Sequence, residues 1–229
     1  MTQEKNNSPF APARRAEKKY KIFVWGPSGS GKTTLGLSFP SPALIDLEGG
    51  ADLYGNRAAF SVVKTTDLRT IANAVRWLGS GEHTHETLVV DPISVYWEET
   101  QRYWQTVFLA AYKGTKADKK EFFELGPKEW AKIKDSYKLF LSRLMALNMN
   151  VVVTARAKTK YREGAYMIAD GECPDAERNT EYAFDLVLRM TEKNGEYITE
   201  VTKDRTGTLP KTLKTSEIIK HLFQKKEKK

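Results

Sequence analysis

Short apolar runs alternate with longer stretches of mixed polarity along most of the chain. Apolar runs bounded by glycine or proline predict buried strands, and apolar positions three and four residues apart predict helices. This pattern predicts strands over 20–25, 42–47, 60–63, 87–91 and 150–155. It predicts helices after the glycine-rich turn at 26–31, from Asp67 through Trp77 with its end at Gly79, from about Ser94 to Tyr112, and from Pro127 to Asn148.

The last third of the chain shows a different pattern. Residues 184–190 (FDLVLRM) and 197–203 (YITEVTK) flank a KNGE turn, which is typical of a β-hairpin, and SEIIKHLF (216–223) predicts a short helix. Residues 156–180 are polar and lack periodicity, so we expect a long loop there. Because strands alternate with helices before the hairpin, the predicted fold class is α/β: a mostly parallel twisted sheet, flanked by helices, with a C-terminal antiparallel hairpin.

Charge is distributed unevenly along the 229 residues. The net charge is +8, and the two ends hold all of it: residues 1–19 have five basic and two acidic side chains, and residues 211–229 have seven and two. We predict a disordered basic arm at 1–18, one folded domain at 19–210, and a short helix with a lysine-rich tail at 211–229. A nucleic-acid partner is favoured for the tails and local patches, because residues 20–210 are neutral overall.

Cys173 is the only cysteine of the sequence, which excludes a disulfide framework and a cysteine-based zinc site. No run approaches the roughly 18 apolar residues that a membrane span needs. The first residues also lack the apolar region of a secretory signal. We therefore expect a soluble cytoplasmic protein with no membrane partner.

Residues 26–33, GPSGSGKT, match the phosphate-binding pattern G-x-x-x-x-G-K-[ST], with a predicted strand before them and a helix after them. Glycines let consecutive backbone N–H groups point at phosphate oxygens, and the helix N-terminus adds its positive dipole end. Lys32 is expected to reach the β- and γ-phosphates, while the Thr33 hydroxyl binds Mg²⁺. The alternative, a glycine-rich loop that binds nothing, is disfavoured by the lysine and threonine. The predicted nucleotide-binding residues are Gly26, Pro27, Ser28, Gly29, Ser30, Gly31, Lys32, Thr33 and Thr34.

Two carboxylates lie at the carboxyl ends of predicted strands. Asp91 ends the strand 87–91 and would complete the Mg²⁺ site with Thr33; alternatively it caps the helix that follows Pro92. Glu48 follows the strand 42–47 and is the candidate general base for an attacking water. Asp46 competes for this role, because alternate strand residues share a face. A further alternative is that Glu48 only accepts hydrogen bonds from the amides of Gly49 and Gly50.

The residues around this site narrow the choice of family. Pro92 rather than glutamate follows Asp91, which argues against AAA+ machines and DEAD-type helicases, and the N-K-x-D motif of GTPases does not occur. The P-loop, the I-D-x-E motif and Asp91 resemble the RecA/Rad51 class of ATPases, over about residues 20–210. The form GPSGSGKT…ALIDLEGG is similar to that of the minimal RecA-like ATPases of bacteriophages, some of which act in recombination and single-strand annealing.

The resemblance implies roles for residues at matching positions. Glu48 matches the catalytic glutamate of the class, acting with Lys32. The strand 150–155 matches the one that ends in a γ-phosphate sensor. The candidates here are Thr154 and Arg156, because the glutamine of the class is missing.

The resemblance also implies a contact with a neighbouring subunit and one with DNA. Lys203 and Arg205, in KDR, resemble the K-x-R pair that completes a neighbour's ATP site; the alternative is a solvated basic strand end. Single-stranded DNA is expected at 113–126 and 156–178. Cations contact phosphates and aromatic rings stack on bases, although the second stretch could also be an ordinary exposed loop. The candidate DNA-binding residues are Lys158, Lys160, Tyr161 and Arg162.

The expected function is a Mg²⁺-dependent ATPase that forms a ring or filament and binds single-stranded DNA in recombination or replication. A single-strand-binding protein is a further candidate partner. Two other classes share the P-loop: a small-molecule kinase, with 156–178 as its lid, and a nucleotide-gated assembly protein with little turnover.

Overall fold

The computed structural model describes residues 19–114, 124–162 and 168–223. These residues form nine strands and five α-helices. The strands are β1 (Lys21–Gly26), β2 (Pro42–Asp46), β3 (Ser61–Lys64), β4 (Thr87–Asp91), β5 (Asn150–Tyr161), β6 (Ala169–Pro174), β7 (Leu186–Lys193), β8 (Glu196–Asp204) and β9 (Thr212–Lys214). The helices are α1 (Lys32–Leu37), α2 (Leu68–Ser80), α3 (Ile93–Tyr112), α4 (Pro127–Ala146) and α5 (Ile218–Phe223).

The strands form one sheet in the order β3-β2-β4-β5-β1-β7-β8-β9, with β6 paired to β5 outside this path. The strands from β3 to β7 in this order are parallel, whereas β8 and β9 are antiparallel additions. This arrangement confirms the predicted fold class. It also brings the carboxyl ends of β1, β2, β4 and β5 to the same edge of the sheet, where ligands bind in such folds.

Apolar residues cover both faces of the sheet. Phe23 packs in the layer with α2, α3 and α4, while its neighbour Val24 packs in the layer with α1 and α5. Successive strand residues point to opposite faces, so burial on both faces requires an almost continuous apolar run. This explains why β1, β4 and the first half of β5 are easy to recognise in the sequence.

The predicted loop over 156–180 is wrong at 156–161 and 169–174, which belong to strands. Strand β5 continues to Tyr161, and its residues 157–161 pair with residues 169–174 of β6 in an antiparallel ribbon, which we call the arm. Most side chains of the arm are exposed, so backbone hydrogen bonds rather than apolar burial hold it together. A polar ribbon of this kind leaves no hydrophobic period in the sequence.

Smaller differences concern the ends of elements. Helix α2 continues past Gly79 and ends at Ser80, with Gly81 as its C-cap. Strand β9 is an additional edge strand, and Leu213 and Leu222 bury the C-terminal elements against the same core. The predictions for the N-terminal segment 1–18, for most of the candidate DNA-binding stretch 113–126 and for the end of the tail lie outside the described residues.

Candidate nucleotide-binding site

The P-loop connects β1 to α1 at the carboxyl edge of the sheet. Gly26 ends β1 so close to β7 that a Cβ atom there would lie 2.1 Å from the carbonyl oxygen of Met190. Gly31 caps α1 with φ 85°, a left-handed conformation that favours glycine. Gly29 also has a left-handed φ, 75°, so backbone geometry favours glycine at all three glycine positions of the motif.

Lys32 folds back over its own loop. Its Nζ donates hydrogen bonds to the carbonyl oxygens of Gly26 at 2.9 Å and Pro27 at 2.7 Å. Burial lowers the pKa of Lys32, and the nearby carboxylates of Asp91 and Glu48 oppose this shift. The loop therefore holds a partly desolvated ammonium group, which favours an anionic ligand at this position.

Asp91 connects three elements at the site. Its Oδ2 accepts a hydrogen bond of 2.6 Å from the Thr33 hydroxyl, and its Oδ1 accepts one from the Thr154 hydroxyl. Burial raises the pKa of Asp91, whereas these two hydrogen bonds and the charge of Lys32 lower it. Thr33 and Asp91 thus present adjacent hard oxygen ligands, which is the donor set that Mg²⁺ prefers. Thr154, predicted as a sensor, lies against the same carboxylate.

Asp46 is buried and accepts hydrogen bonds from three backbone amides of the loop that follows it. The donors are the N–H groups of Glu48 at 3.0 Å, Gly49 at 2.8 Å and Ala51 at 2.8 Å. The alternative in which Glu48 accepts hydrogen bonds from the glycine amides does not hold, because the amide of Gly49 donates to Asp46 instead. With both oxygens engaged, Asp46 supports the loop and is a poor candidate for the general base.

Glu48 is instead bound to Arg156. Its Oε1 accepts hydrogen bonds from Nε of Arg156 at 2.7 Å and is 2.5 Å from Nη2. Nη1 of the same arginine donates to Oε1 of Glu98 at 3.2 Å. The structure thus brings together the predicted base and one predicted sensor. Sequence reasoning missed Glu98, which lies on α3 seven residues after Asp91.

These residues surround a cavity of about 400 Å³, within the size range of small-ligand sites. Its polar lining comes from the P-loop, from the ends of β2 and β4 and from Arg156 in the middle of β5, and Leu53 and Tyr54 also line it. Among the lining residues are Ser28, Gly29, Lys32, Thr33, Asp46, Glu48, Asp91 and Arg156.

Comparison with protein families identifies the chain. A family model described as an AAA domain, AAA_24, matches residues 18–217 and so includes the whole site. The chain belongs to this family. Pro92 argued against AAA+ machines, but the match shows that this residue does not exclude an AAA domain.

The AAA domain also resembles solved structures at low identity. The RadB recombinase shares 19% identity with a TM-score of 0.47, over 85% of this chain and 86% of that one. A KaiC-like protein from Pyrococcus horikoshii OT3 shares 17% identity with a TM-score of 0.45, over 82% and 80%. No curated protein matches the chain significantly. Within the described part of the AAA domain, helices are too short or too polar to cross a bilayer.

Lys203 and Arg205 lie at the opposite edge of the sheet from the P-loop. Strand β8 runs antiparallel to β7, so its end at Asp204 pairs with Leu186 at the start of β7. Nζ of Lys203 donates to the carbonyl oxygens of Glu181 at 3.0 Å and Tyr182 at 3.2 Å. The fold therefore keeps both cations away from the P-loop of their own AAA domain.

The predicted DNA-binding residues lie on the outer half of the arm. Lys158 pairs with Asp175 at 3.0 Å, and Lys160 is 4.0 Å from Asp170. Tyr161 is about half exposed, and Arg162 is exposed at the end of the ribbon. The acidic side chains offset part of the positive charge that the sequence of β5 alone suggests.

Proposed function

We propose that this AAA domain is a Mg²⁺-dependent ATPase that self-associates and binds single-stranded DNA in recombination or replication. The observation that carries the proposal is the convergence of Lys32, the Thr33–Asp91 pair and Glu48 on one cavity. We further propose the bacteriophage type, acting in the cytoplasm of a bacterial host. The sequence GPSGSGKT…ALIDLEGG supports this assignment.

Each polar group of the cavity has a chemical task in this proposal. Lys32 and the backbone N–H groups of the P-loop bind the phosphates. Thr33 and Asp91 would hold Mg²⁺, which, when bound, neutralises phosphate charge. Glu48 accepts the proton of the attacking water, and Thr154 keeps Asp91 in place through its hydroxyl.

The distribution of cations supports self-association. Arg156 is the one arginine among the residues that line the described cavity, and it is already bound to Glu48 and Glu98. Lys203 and Arg205 lie at the far edge of the sheet, away from the cavity of their own chain. We propose that they complete the site of a neighbouring copy, as the K-x-R pattern implies. Arg205 is 57% exposed and is 3.9 Å from Asp185, so its side chain is accessible to a neighbour.

The arm supports the DNA contact. Its first strand is the outer part of β5, beyond the cavity. Basic residues occupy every second position from Lys158 to Arg162, and Tyr161 lies between the last two. Electrostatic contacts to phosphates and stacking on one exposed ring are the usual elements of single-strand binding. A single-strand-binding protein is a further proposed partner.

Phosphate release from ATP tests the proposal. We expect turnover that requires Mg²⁺, increases with single-stranded DNA, and disappears in Lys32→Ala together with tight ATP binding. Lys134→Ala, an exposed lysine of α4, is the matched control and should behave as wild type. Phosphorylation of a small acceptor would favour a kinase instead, and nucleotide binding without turnover would favour an assembly protein.

A further inference from the structure

Arg156 is anchored to α3 at two points. Its backbone N–H donates to the Ser94 hydroxyl at 3.0 Å, and its Nη1 donates to Glu98 at 3.2 Å. Ser94 is fully buried in the first turn of α3, and Glu98 follows it by four residues. Residues four apart lie on the same face of a helix, so one face of α3 fixes both the backbone and the side chain of Arg156.

The guanidinium group of Arg156 in turn holds Glu48 by one oxygen only. Both Nε and Nη2 approach Oε1 of Glu48. Within the described residues, Oε2 of Glu48 accepts no hydrogen bond. The contact therefore fixes the carboxylate and leaves the second oxygen available to a water molecule.

We propose that Glu98 is a positioning residue for Glu48, acting through Arg156; this inference rests on the proposed ATPase function. A guanidinium group is a rigid planar fork, so a carboxylate at Nη1 restricts the rotation of the whole group. Without Glu98, the long Arg156 side chain gains rotamer freedom and Glu48 loses its fixed orientation. A general base must be held within hydrogen-bond reach of the proton that it takes, and small displacements cost rate.

The exposure of the three side chains separates this role from a structural one. Glu48, Arg156 and Glu98 are 47%, 44% and 45% exposed. Ion pairs this exposed contribute little to folding. Glu98 is also not among the residues that line the described cavity, so its loss should leave nucleotide affinity unchanged.

Steady-state ATPase kinetics of Glu98→Ala test the inference. We expect kcat to fall about tenfold to a hundredfold, with KM, nucleotide Kd and the thermal unfolding midpoint close to wild type. Glu98→Gln retains an oxygen acceptor for Nη1 of Arg156, so its kcat should lie between those of Glu98→Ala and the wild type. Glu99→Ala is the matched control, because Glu99 is the next residue of α3 and, among the described residues, forms its ion pair with Arg102 of the same helix; it should keep the wild-type kcat.

A double-mutant cycle tests the route through Arg156. If Glu98 acts through Arg156, adding Glu98→Ala to Arg156→Ala should lower kcat no further. A wild-type kcat in Glu98→Ala, or a full additional loss in the Arg156→Ala background, would overturn the inference. If turnover in the wild type is Glu48-dependent, such a result overturns this inference alone. A wild-type protein without turnover would overturn the proposed function and the inference with it.

Discussion

Asp46 and Glu48 are two residues apart, and their carboxylates lie in opposite environments. Asp46 is 4% exposed and accepts hydrogen bonds from three backbone N–H groups. The side chain of Glu48 is 47% exposed and contacts Arg156. Alternation along a strand places both on one face, so the sequence pattern treats them as equivalent. The turn after β2 separates them, because it wraps its own amides around Asp46.

Replacing Asp46 with alanine tests this division. The variant leaves buried amide groups without an acceptor, so we expect the free energy of unfolding to fall by about 2 to 3 kcal/mol. Urea unfolding measures the change. Asp52→Ala, at an exposed residue paired with Lys64, should have little effect. An Asp46→Ala protein with wild-type stability and no turnover would instead assign the general base to Asp46.

At the scale of elements, the N-terminus of α2 makes stability depend on pH. The Asp67 side chain accepts hydrogen bonds from the Thr70 hydroxyl at 2.6 Å and the Thr70 amide at 2.7 Å, and these lower its pKa below the ordinary 3.8. The Asp67 carboxylate therefore binds a proton less tightly in the folded state than in the unfolded state. The stabilisation is present above the ordinary pKa and is lost as pH falls through the lowered one.

We expect Asp67→Ala to lower the unfolding midpoint at pH 7, and we expect this difference from the wild type to become smaller as pH falls below the ordinary pKa of 3.8. Urea unfolding from pH 7 to pH 3 measures this convergence. Asp135→Ala, at an exposed position of α4, controls for the loss of an acidic residue. A difference that does not change with pH would show that Asp67 acts by something other than its charged cap.

For the arm we predict that one set of substitutions weakens DNA binding and another set strengthens it. Replacing Lys158, Lys160 and Arg162 with alanine should weaken single-strand binding. The slope of log K against log salt concentration should become less steep by about 0.7 for each lost phosphate contact. The acidic partners provide the matched control: Asp170→Asn and Asp175→Asn free Lys160 and Lys158 and should strengthen binding. Binding titrations at several salt concentrations measure both effects. Equal binding in all variants would remove the arm from the DNA contact.

The arm and the site also show how far the sequence predicts this structure. Strands β1 and β4 are recognisable because burial on both faces demands apolar runs, and the P-loop because phosphate binding demands a fixed spacing. The sequence does not predict the arm, because two strands that are joined by backbone hydrogen bonds and carry exposed side chains leave no apolar pattern. The sequence does not predict Glu98 because its proposed role depends on α3 lying beside Arg156 in the middle of β5, and only the folded chain brings these elements together.

At the scale of the whole molecule, the position of Arg205 predicts activity shared between copies. Activity per chain should rise with protein concentration, because an isolated chain lacks the distant cation. Arginine groups of this kind contribute about 10³ to 10⁵ in rate. Arg205→Ala and Lys32→Ala should each be nearly inactive alone and should recover activity when mixed, since one supplies an intact cavity and the other the arginine. Phosphate release by the mixture measures this, and a mixture no more active than its parts would contradict a shared site.

We propose that the cavity of the P-loop hydrolyses ATP with Glu48 as the base. The most direct measurement compares ATP binding and phosphate release for Glu48→Gln and the wild type under the same conditions. We expect Glu48→Gln to bind ATP as tightly as the wild type and to release phosphate at least about a hundredfold more slowly. Wild-type turnover in Glu48→Gln would contradict it.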